Sequence, residues 1–127
     1  MKKILAALLC ICAPVYAQDP DVDFFTPDAT GCMILKECTD FRALKVRGLM
    51  TIPENTSDSV LIKNRFKTLV ETQKALKLEF AIQNPSVFIF DMISMGMSND
   101  MEWAIGESDP SFTTLVRLGT SIFGKRP

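Results

Sequence analysis

The chain has 127 residues, 14 basic and 15 acidic side chains, and no histidine. That length suits one domain with a modest core. The near-neutral balance argues against nucleic acid as the main partner, because a phosphate backbone calls for a basic surface.

The first residues, "MKKILAALLCICAPVYAQD", have the layout of a secretory signal peptide. Lys2 and Lys3 form a positive start, Ile4 to Cys12 an uncharged apolar run, and Val15-Tyr16-Ala17 a small-x-small cleavage site. The apolar run is short of the roughly 20 residues that cross a bilayer. An uncleaved anchor or a buried N-terminal helix is the alternative. Cleavage after Ala17 divides the chain into a leader (1–17), an acidic arm (18–31) with Asp19, Asp21, Asp23 and Asp28, and one domain (32–127). It also sets 12 basic residues against 15 acidic ones, since Lys2 and Lys3 leave. The expected localisation is secreted or periplasmic, with no membrane span after cleavage.

The segment "CMILKE" fits strand or helix and is read as a strand because β structure follows, and the alternation in Ala43–Ile52 is read as a second, with Gly48 a bulge. Ser57 is expected to cap a long helix that buries Ile62, Phe66, Leu69, Val70, Leu76 and Phe80. Leu78, Phe80 and Ile82 also alternate, so a strand is an option at its end. "SVFIFDMI" reads as a central strand, and Asn99–Ile105 as a short one. Asp109, Pro110 and Gly124 frame a final helix with Phe112, Leu115, Val116, Ile122 and Phe123 on its inner face. The expected fold is a small single α+β domain in the order β-β-α-β-β-α, with its helices on one sheet face.

Export favours a disulfide between Cys32 and Cys38, because oxidising compartments pair cysteines. Their Cα atoms must then come within roughly 7 Å, which requires "MILKE" to form a tight loop. Packed thiols and pairing with another chain are the alternatives. Met92, Met95, Met97 and Met101 lie close together in sequence, and thioether sulfur is a soft ligand for Cu(I). Methionine is equally a flexible packing residue. Asp19, Asp21 and Asp23 begin like a calcium loop, but Phe24 and Thr30 stand where glycine and glutamate belong. Glu102, Glu107 and Asp109 place carboxylates near Trp103, a pattern that needs a cleft before it means sugar chemistry.

"DFFTPDAT" followed by "GCMILKECTD", Asp23 to Asp40, resembles a segment of uncharacterised small exported proteins of phages and marine bacteria. Some of that group carry a zincin-like H-E-x-x-H. This chain has no histidine, so the resemblance implies at most a shared scaffold segment and no peptidase activity.

The sequence therefore leads to a small exported protein that binds a protein partner in the periplasm or outside the cell, without catalysis and without a cofactor. A Cu(I) binder through the methionine cluster and an inactive relative of the zincin-like group are the alternatives.

Overall fold

Alternating residues in Leu44–Met50 form a strand, as their period of two requires. The computed structural model describes residues 7–12, 38–39 and 43–126. Within them the order is β1 (Ala7–Cys12), β2 (Leu44–Met50), α1 (Ser59–Leu76), a π-helical turn (Lys77–Ala81), β3 (Met92–Met97), α2 (Met101–Gly106), β4 (Thr113–Arg117) and α3 (Thr120–Phe123). The sheet order is β1-β2-β3-β4, and every pairing is parallel. The small α+β domain holds, and the expected β-β-α-β-β-α order holds only in part.

The corrections have physical reasons. Ala7–Cys12, inside the stretch read as a leader, pairs with β2 as a sheet strand. The expected strand at Asn99–Ile105 is helix α2: Ala104 is buried and Ile105 exposed, and the Ala104 N–H bonds the Asp100 carbonyl one turn back. A short apolar alternation fits either period. The expected final helix is largely β4, where β-branched Thr113, Thr114 and Val116 suit a pleated surface. Ile122 and Phe123, expected inside, are 64% and 84% exposed. Gly124 does close α3, with a φ of 76°. The "CMILKE" strand (32–37) and the acidic arm lie outside the described residues.

α1 appears where its periodicity places it. Ile62, Phe66, Leu69, Val70, Gln73 and Leu76 are buried. The cap is Asp58, not Ser57: its side chain accepts hydrogen bonds from the N–H groups of Val60 at 3.0 Å and Leu61 at 3.1 Å. Phe80 is buried in the π-helical turn, so no strand begins there. α1 packs against β2 and β3, and α2 packs against β3 and α1.

The strand expected over "SVFIFDMI" begins only at Met92. Before it, Phe88 bridges Val46, and Phe90 turns into the left-handed region with a φ of 47°. That turn, strained for a bulky residue, lets Val87, Phe88 and Phe90 all enter the core. Phe88 packs against Phe80 at 5.2 Å and Phe90 at 6.1 Å between ring centres.

A buried glutamine joins the two middle strands. The Gln73 carbonyl accepts from the Leu49 N–H at 2.7 Å, and its amide donates to the Met92 carbonyl at 2.7 Å. Gly48 makes this possible, since a Cβ there would overlap the Met92 carbonyl and sit 2.9 Å from the Gln73 oxygen. Opposite Gly48, β1 advances from Leu8 to Cys10 while β2 advances from Lys45 to Gly48, the extra residue of a bulge.

Candidate functional site

In a parallel sheet whose order never reverses, every strand ends at the same edge, and loops that carry chemistry collect there. The ends of β2, β3 and β4 open into a cleft of about 590 Å³ lined by the segments 52–57 and 97–100 with Ile62, Trp103, Arg117, Gly119 and Thr120. That is within the usual size range for a small-molecule site.

Each wall has a local cause. β3 ends in "SMGMSND". Gly96, with a φ of 93°, stands where a Cβ would lie 2.7 Å from the Ala104 Cβ, so α2 comes in close behind it. The Asp100 carboxylate accepts from the Met97 N–H at 2.6 Å and holds the turn into α2. Ser98 then projects its hydroxyl toward the chain leaving β4. Its Oγ accepts from the N–H groups of Gly119 at 3.3 Å and Ser121 at 3.2 Å. These bonds are long, and the hydroxyl keeps its own hydrogen to give. Thr120 lines the same rim.

Arg117, at the end of β4, donates from Nη2 to the Thr51 carbonyl at 2.6 Å. Its Nε is buried without a hydrogen-bond partner, as is the Thr51 hydroxyl. A buried orphan on a guanidinium costs free energy, so this nitrogen is a donor awaiting an acceptor. On the loop after β2, Glu54 is gripped by Arg65 of α1, at 2.9 Å and 3.2 Å from Nε and 2.5 Å from Nη2. Burial pushes the Glu54 carboxyl up, but the hydrogen bond from Arg65 and nearby charge bring it below its ordinary value. It is ionised at neutral pH.

The residues singled out from the sequence are mostly elsewhere. Met92, Met95 and Met97 lie on β3 and Met101 opens α2. Met95 is wholly buried in the apolar core, and Met97 lines the cleft. Met95-Gly96-Met97 is the irregular end of β3, where pairing with β4 shifts register. Cys38 is buried, and Cys32 lies outside the described residues. Trp103 lines the cleft; Glu102, Glu107 and Asp109 do not. Sequence reasoning passed over Ser98, Arg117, Gly119 and Thr120. The available signal was a pair of glycine–hydroxyl stretches, "SMGMS" and "RLGTS", each following an apolar run. Among the described residues no helix is long and apolar enough to cross a membrane.

No family model matches the chain. It is 42% identical over 83 residues to the pyridoxal phosphate homeostasis protein of Vibrio cholerae, covering 65% of this chain and 30% of that protein. The protein of the same name from Aquifex aeolicus is 39% identical over 83 residues, covering 65% of this chain and 32% of its own length. The chain thus spans about a third of the length of these curated relatives. Among solved structures, PipY of Synechococcus elongatus PCC7942 with PLP bound superposes with a TM-score of 0.67 at 24% identity, over 94% of this chain and 50% of that one. A protein of unknown function from Bifidobacterium adolescentis gives 0.59 at 25% identity, over 91% of this chain and 42% of that one. These likenesses show a shared fold.

They also correct the sequence reading. The resemblance of Asp23–Asp40 to exported phage and marine proteins gives way to similarity over 83 residues with pyridoxal phosphate homeostasis proteins. A short segment holds too few positions to compete with that. The exported partner-binding protein, the Cu(I) binder and the inactive zincin relative fall with it. So do the secreted or periplasmic localisation and the expectation of no cofactor, against relatives named for pyridoxal phosphate and a similar structure that holds it.

Proposed function

We propose that the cleft at the ends of β2, β3 and β4 binds pyridoxal 5′-phosphate (PLP), and that the chain supplies the non-covalent part of such a site. The observation that carries this is the orphaned, buried Nε of Arg117 beside the hydroxyl rim of Ser98 and Thr120. PLP brings a phosphate, a phenolic oxygen and a ring nitrogen, all acceptors for donors of this kind. In parallel barrels phosphate is often held by loops after successive strands, and the loops after β3 and β4 meet here through Ser98.

When bound, PLP supplies an electrophilic aldehyde on an electron-withdrawing ring. The residues of this chain bind and orient it. Ser98 and the backbone from Gly119 to Ser121 exchange their long mutual hydrogen bonds for bonds to phosphate. Arg117 reaches an acceptor deeper in. Trp103 and Ile62 supply apolar wall. These contacts are non-covalent and hold the ligand reversibly. The similarity to proteins named for pyridoxal phosphate homeostasis supports a role in holding this cofactor.

Equilibrium dialysis of the purified chain against PLP tests the reading. The expected result is saturable binding with a Kd on the order of 10 µM, weakened about tenfold in Ser98→Ala. The same uptake by the wild type and Ser98→Ala up to about 1 mM would reject it.

A further inference from the structure

Ser98 sits inside a turn that Asp100 closes twice. The Asp100 N–H donates to the Met97 carbonyl at 3.2 Å, and the Asp100 carboxylate accepts from the Met97 N–H at 2.6 Å. Ser98 and Asn99 are the two middle residues of that turn. The Asp100 carbonyl accepts from the Ala104 N–H at 3.0 Å, which fastens the turn to α2. Asp100 is 7% exposed, and a hydrogen bond so shielded from water is strengthened. The sheet alone fixes this point loosely. Pairing of β3 with β4 is irregular between Ser94 and Met97, and Gly96 is a permissive residue just before the turn.

From the turn the Ser98 hydroxyl reaches the loop after β4, 3.3 Å from the Gly119 nitrogen and 3.2 Å from the Ser121 nitrogen. These bonds are long, whereas the one between Asp100 and Met97 is short. The firm link lies within the turn and the soft link crosses the rim. That arrangement suits a hydroxyl that trades its partners for a ligand while keeping its direction.

We infer that Asp100 is a positioning residue of the cleft, aiming the Ser98 hydroxyl at the phosphate of the ligand. The inference rests on the PLP reading above. Asp100 is unsuited to touch the phosphate itself, because carboxylate and phosphate oxygens both accept. Its use is the acceptor oxygen that it offers to Met97.

A double-mutant cycle tests this, with PLP as the probe in equilibrium dialysis of the full chain. Asp100→Ala is expected to weaken binding per folded molecule about tenfold, as Ser98→Ala does. The double variant should lose the same tenfold and not about a hundredfold, since Asp100 acts through Ser98. Asp100→Asn keeps an acceptor oxygen and should recover all but about twofold of the loss. Glycine is tolerated at the start of a helix, so Asp100→Gly takes the place of the alanine variant if that fails to fold. Losses that multiply in the double variant overturn the inference. So does wild-type affinity in Asp100→Ala, or an Asp100→Asn variant as weak as the alanine one. In these cases the PLP reading stands. A wild type that takes up no PLP removes that reading and the inference with it.

Discussion

The two ends of the parallel sheet are built differently. Where the strands begin, several charged groups are paired, although the Thr114 hydroxyl of β4 is buried without a partner. Arg47 on β2 forms a two-pronged pair with Asp91, Lys45 bonds the Ser86 carbonyl, and Lys74 meets Asp109 at 2.5 Å. The Lys77 ammonium sits 5.4 Å from the centre of the Phe112 ring, and Phe80, Phe88 and Phe90 pack nearby in the chain. Where the strands end, the Thr51 hydroxyl and Arg117 Nε are buried and unpaired. One end spends its charged groups on the fold. The other holds some in reserve, at a cost in stability, as binding sites do.

Mutation can break this contrast. Phe88→Ala empties the aromatic cluster at the paired end and is expected to cost about 3–5 kcal/mol in urea unfolding. PLP affinity per folded molecule should be unchanged; a comparable loss of affinity would mean that the two ends are not separable. Gln73→Leu lies between them. It leaves the Leu49 N–H and the Met92 carbonyl buried without partners and should cost about 2–4 kcal/mol. Arg117→Met acts at the other end. Binding of PLP should fall about tenfold or more, with a cost in stability of about 1–3 kcal/mol because the Thr51 carbonyl loses its Nη2 donor. Unchanged PLP binding by the folded variant would assign Arg117 to the fold alone.

The paired end was legible in the sequence, and the cleft was not. α1 announces itself because Ile62, Phe66, Leu69, Val70 and Leu76 keep one period over several turns. β2 does so through its alternation. Met101, Trp103 and Ile105 span too few residues to separate a strand from a helix, and Thr113–Arg117 was drowned by strong helix punctuation on either side, Asp109-Pro110 and Gly124. Asp109 does accept from the Ser111 N–H at 2.8 Å, yet the turn it makes leads into β4. The cleft depends on residues 51, 54, 98 and 117, which only strand pairing brings together. The methionine cluster drew attention because methionines are conspicuous in sequence. In three dimensions Met95 is wholly buried packing.

The smallest expected effect concerns Asp109. The hydrogen bond from Lys74, followed by those from Ser111, lowers its carboxyl from the ordinary 3.8 to about 2. A depressed folded-state value means that the ionised carboxylate favours the fold. This contribution is complete above the ordinary value and is lost as pH falls from about 4 to about 2. Asp109→Asn removes the charge but keeps an oxygen that can accept from the Ser111 N–H, so it isolates the ion pair from the turn. Urea midpoints at neutral pH should place the variant slightly below the wild type. The gap should close on acidification through that window and shrink with added salt, since Lys74 is well exposed. A gap that stays constant down to pH 2 would mean that the carboxylate matters for its shape and not its charge. The paired end would then owe its order to turns and packing, and its contrast with the cleft would rest on the aromatic cluster alone.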